Sequence, residues 1–137
     1  MANKTADQCI EYILKNIDKR KEVDYGSRIS VRRFNAAYDR ILENARYIDH
    51  HHPNALGSLM ELIYHQDIFV VEHCAPIILA LDHSTLAQKW EAIGVIRALT
   101  VDERLSSGDR LGFSMSLEDW EAKLKKQTEE GTCGRIW

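Results

Sequence analysis

Fourteen consecutive residues at 68–81, IFVVEHCAPIILAL, constrain the fold more than any other part of this chain. The run is too short to cross a bilayer, which takes about 20 apolar residues. As a helix it is apolar on nearly every side, so other elements must enclose it. A central β-strand would also bury such a run. Its length, the cap-forming Asp67 before it and the lack of other strand candidates favour a helix. Pro76 within the run is expected to kink that helix or divide it.

Periodicity supplies the partners that the run needs. Ile10, Ile13, Leu14 and Ile17 make one apolar stripe, which predicts a helix over 7–22. After a loop containing Gly26, Ser30 can cap a second helix over 31–48, whose stripe is Val31, Phe34, Tyr38, Ile41, Leu42, Ala45 and Ile48. Pro53 in Asp-His-His-His-Pro-Asn marks a stop. A short helix follows over 55–65, then the enclosed one at 68–81. Thr85 and Gln88 form a capping box for a helix over 85–99, with Leu86, Trp90, Ile93 and Ile96 inward. Ser116 and Asp119 form another, opening a last helix over 117–127. The polar segment before it reads as a link, and the tail 128–137 as flexible.

The expected class is therefore all-α, with about six helices in antiparallel hairpins joined by short links. With 137 residues, the chain is expected to form a single helical domain. Two prolines and seven glycines leave few turn-formers for a barrel of many short strands. Cys9, Cys74 and Cys133 are odd in number, widely spaced and without a C-x-x-C pair, so neither a disulfide framework nor a zinc knuckle is indicated. No secretion-type apolar core opens the chain, so a cytoplasmic protein with reduced thiols is expected.

Catalytic patterns are missing. G-x-S-x-G, the phosphate-cradling P-loop, GxGxxG, HExxH and the Glu-x-x-His pair of di-iron bundles do not occur. Cys74 and His73 are adjacent, and helix neighbours about 100° apart do not face each other. Adjacent loop histidines His50, His51 and His52 do not all point to one centre, although two could ligate a metal together with Asp49; solvated histidines are the expected reading, with no metal or other cofactor. The expectation is a protein that is not an enzyme.

Charge is the remaining signal. The net charge is −3, yet residues 1–33 carry +3. Residues 47–96 hold six carboxylates, Asp49, Glu61, Asp67, Glu72, Asp82 and Glu91, against the single cation Lys89. Such a stretch repels nucleic acid and attracts basic partners. Basic residues at 15–33 lack interleaved aromatics, which argues against nucleic-acid binding there.

The segments VVEHCAPIILALD, STLAQKWEAIG and GDRLGFSMSLEDWEAKLKK resemble an uncharacterised bacterial family of short HEAT-like helical domains. The resemblance covers residues 31–127. The link at 65–68 lacks the family's proline, and Val71–Ala75 replaces its usual basic start. It implies a short α-solenoid that binds protein. It is also similar to immunity proteins, the antidotes of polymorphic and contact-dependent toxins. The expected partner is then a cognate toxin domain, basic and of nuclease type, docked on those six carboxylates with Tyr47 and Tyr64 as aromatic anchors. A helical-repeat scaffold or regulatory adaptor with another partner is the alternative.

Overall fold

Thr5 starts the first helix by accepting a hydrogen bond from the Gln8 amide at 3.1 Å, while Gln8 accepts from the Thr5 amide at 2.9 Å. The helix it opens, α1 (Ala6–Arg20), is followed by α2 (Arg28–His51), a 3-10 turn (Pro53–Ala55), α3 (Leu56–Leu62), α4 (Ile68–Ile78), α5 (Leu86–Leu99) and α6 (Ser107–Glu130). This computed structural model describes residues 3–137, and among them the fold is all-helical, with no strand. None of its helices is long and apolar enough to cross a membrane. The chain divides into two compact units, Met1–Ser58 and Leu59–Trp137.

In the first unit α1 packs along α2. The faces that meet carry the predicted stripes: Cys9, Ile13 and Ile17 on α1, and Ala37, Ile41, Ala45 and Ile48 on α2 are all buried. Each fully buried isoleucine contributes roughly 2–3 kcal/mol. Two asparagines sit in this apolar seam. Asn16 and Asn44 each donate to the carbonyl four residues back, both at 2.8 Å, and the Asn44 carbonyl accepts from Lys4 Nζ. Ser27, not Ser30, caps α2, by accepting from the Ser30 amide. The helix also runs past the expected stop, to His51. Pro53 ends it two residues later because it cannot donate to the ladder.

In the second unit α4 packs on α5, and α5 on α6. Asp67 caps α4 as expected, accepting from the Phe69 amide at 2.9 Å. Seven of its eleven residues are buried. The proline neither kinks the helix midway nor splits it. It lies in the last turn, and the chain tightens beyond it through Leu79 N–H to the Pro76 carbonyl and Ala80 N–H to the Ile77 carbonyl. Thr85 and Gln88 form the predicted capping box of α5.

The last helix departs most from expectation. Ser106, rather than Ser116, caps it, and α6 begins ten residues early. Gly108 and Gly112 dilute its first half, and Leu111 and Met115 face solvent, so no apolar stripe marks it in sequence. Phe113 nevertheless packs on a small core of Val71, Leu99 and Leu105. Gly131 ends α6 in the left-handed conformation at φ 69°, which an L side chain adopts only with strain.

The tail is held, contrary to its reading as flexible. Ile136 is buried and donates its amide to the Leu79 carbonyl at 2.7 Å. The Trp137 indole donates to the Pro76 carbonyl at 3.0 Å and stacks against Trp120. The Leu79 carbonyl lies past the end of α4, where the ladder has run out of donors, and the Pro76 carbonyl takes the indole as a second donor beside the Leu79 amide.

Candidate functional site

Of the eight expected partner-binding residues, Tyr47 and Asp49 belong to the first unit and Glu61, Tyr64, Asp67, Glu72, Asp82 and Glu91 to the second. Asp49 lies in the last turns of α2 and is 0% exposed, with His50 Nε2 at 3.6 Å from its carboxylate. It cannot touch a partner; lengthening α2 by three residues put a supposed loop carboxylate inside. Tyr47 is committed to its own unit. Its ring stacks on His51, the Lys4 ammonium lies over it at 5.6 Å, and its hydroxyl accepts from the Lys4 amide.

Two more carboxylates are engaged by the second unit itself, and a third has a partner of its own. Asp67 is the α4 cap. Asp82 lies 3.9 Å from Arg135 Nε of the returning tail. Glu72 is half-buried on α4 and also has an interaction partner.

What survives is a smaller group in the second unit: Glu61, Tyr64 and Glu91. Glu61 stands on α3, Tyr64 in the turn that closes it, and Glu91 on α5. Tyr64 is 62% exposed, although Leu59, Met60, Leu62 and Ile63 around it are all buried. Those neighbours fix the backbone and leave the ring outward. Tyr64 and Glu91 share a side-chain hydrogen bond. Desolvation, the Glu91 charge and that hydrogen bond together push the phenol above its usual range. Glu61 is exposed and takes part in no ion pair among the described residues. An exposed aromatic ring with a carboxylate hydrogen-bonded to it and another one turn back along the chain can insert into a partner's surface and meet a cation beside it.

The three consecutive histidines point to three different partners. His50 faces Asp49, His51 stacks on Tyr47, and His52 Nε2 meets the Lys4 carbonyl at 2.7 Å. They do not gather around one point.

One polar cluster was not read from sequence. Lys89, the only cation of its stretch, is 0% exposed. Its ammonium donates to the Ser84 carbonyl at 2.6 Å and the Ser84 hydroxyl at 2.7 Å, and Cys133 Sγ lies 3.8 Å away. The Ser84 hydroxyl donates to the Ile78 carbonyl at 2.8 Å, and the Cys133 thiol to the Ser84 carbonyl at 3.1 Å. Ser84 is buried and its proton is committed, so this is not a nucleophile waiting for substrate. The cluster ties the α4–α5 link to the tail. Its signal in sequence is only the five-residue spacing from Ser84 to Lys89. Trp90 is likewise spent on the fold, donating to Thr128 Oγ1 at 3.0 Å across α5 and α6.

No protein-family model, curated protein or solved structure matches this chain.

Proposed function

We propose that this chain is a helical protein-binding module, in particular an immunity protein that occludes a basic toxin domain in the cytoplasm. The observation that supports the reading is Tyr64, exposed beside the buried Leu62 and Ile63, hydrogen-bonded to Glu91 and one helical turn from Glu61. The electrostatic case has narrowed from six carboxylates to these two. Charges at the rim of an interface mainly steer association, and a buried aromatic anchor mainly slows dissociation.

The test is binding to the protein encoded by the adjacent reading frame, with protection of cells expressing that protein. Glu61→Lys with Glu91→Lys slows association about tenfold or more at low salt. Tyr64→Ala weakens affinity by about 2 kcal/mol, chiefly through faster dissociation. Unchanged rates in both variants remove this surface from the proposal.

A further inference from the structure

The start of α2 carries charges that work against its stability. The positive end of a helix dipole favours acids, yet the first turn of α2 has none and Arg28 opens it. Arg28 and Arg32 are one turn apart, a repulsive spacing, and Arg33 follows. Local choices that conflict with folding stability mark places selected for something else.

Of these, Arg33 lines a cavity of about 570 Å³, within the size range of small-ligand sites. Lys19 from the end of α1 and Arg33 and Arg40 from α2 line it, and no ion pair among the described residues engages any of the three. Glu22 is the one carboxylate on the wall, so the lining is net positive. The Ser30 hydroxyl accepts from the Asp24 amide at 2.7 Å and still has its own proton to donate. Ser27 and Val23 also line it, and its larger apolar residues are Ile29, 63% exposed, and Phe34, which meets the Arg20 guanidinium at 3.8 Å and the edge of Tyr25.

Unpaired guanidinium groups beside an exposed apolar wall select an anion with an apolar body. Arginine matches the oxygens of a phosphate with parallel N–H donors, and two arginines two turns apart on one helix face can grip one dianion and its ester arm. We infer that this cavity in the first unit binds a soluble phosphate monoester of nucleotide size, its phosphate held by Arg33, Arg40 and Lys19 and its organic body against Ile29 and Phe34. The site lies outside the Glu61–Tyr64–Glu91 group and is independent of what that group binds.

Adenosine monophosphate is the probe, titrated into the full chain and followed by amide chemical shifts and calorimetry, with adenosine and inorganic phosphate alongside. Saturable binding with shifts confined to residues 19–40 is expected. Inorganic phosphate should bind at least about fivefold more weakly, and adenosine should not bind. Arg33→Gln weakens binding about tenfold, and Arg33→Glu with Arg40→Glu abolishes it. Neither variant should lower the melting temperature, since removing like charges does not unfold the helix; Lys125→Glu on α6 should leave binding unchanged. No binding at millimolar adenosine monophosphate overturns the inference, as does equal binding of inorganic phosphate, which would leave the apolar wall without a role. Capture by phosphatidic acid vesicles without binding of the soluble ester would also overturn it.

Discussion

Each unit of the molecule buries one cysteine on a helix, and the two thiols differ in a way that separates the units. Cys74 on α4 is enclosed on all sides, and burial alone raises its thiol to about 12. Burial also raises Cys9 on α1, but the nearby Lys4 cation pulls the other way. The second unit satisfies its polar groups inwardly, through Lys89, Ser84 and a tail that returns to the end of α4. The first is a helical pair in which Lys19, Arg33 and Arg40 enter no ion pair among the described residues. A surface left with uncompensated like charge is the better place to look for a ligand, and a unit closed on itself the better place to measure stability.

Alkaline pH tests the contrast most strongly. A thiol whose folded value exceeds its unfolded one stabilises fully below about pH 9 and loses that contribution as pH rises towards 12. For Cys74 the upper bound is about 4 kcal/mol. Urea unfolding from pH 8 to 11 should show a steep loss that Cys74→Ala flattens and Cys9→Ala flattens less. Equal flattening would show the two thiols to be equivalent.

Next in size is the buried ammonium. Lys89→Ala leaves a cavity and strips two hydrogen bonds from Ser84, at a cost of about 3 kcal/mol in urea unfolding. Lys89→Met fills the space and recovers roughly half of it. Loss below 1 kcal/mol for the alanine variant would mean that Lys89 is not a structural node. Ile136→Ala should cost about 2 kcal/mol and speed amide exchange at Ile136. A freely fraying tail would show neither.

The smallest effects sharpen the comparison through identical devices. Thr5–Gln8 and Thr85–Gln88 are the same capping box, one in each unit. Replacing either threonine with Ala costs about 1 kcal/mol by removing one acceptor from the first turn. Amide exchange should place the loss at the start of α1 in one variant and of α5 in the other.

Much of the fold was legible because stripes at helical spacing and capping boxes are local. Ile13, Ile17, Ile41 and Ile48 are buried where periodicity put them, and Asp67 and Thr85 cap the helices they were expected to cap. The first half of α6 was not legible, since its apolar residues Leu111 and Met115 face water and only Phe113 finds a core. The contact of Lys89 with Cys133 and the docking of Ile136 on Leu79 join residues far apart in sequence, which no local pattern encodes. Charge counting found the acidic stretch, but it could not tell a carboxylate that caps a helix from one that faces a partner.

The claim on which the functional reading rests is that Glu61, Tyr64 and Glu91 receive a cationic protein. The direct measurement is the association rate with the protein encoded next door, across a series of salt concentrations. Wild type should associate fast and slow steeply with salt, and the Glu61→Lys, Glu91→Lys chain should start slow and respond little. Two superimposable salt curves would contradict it.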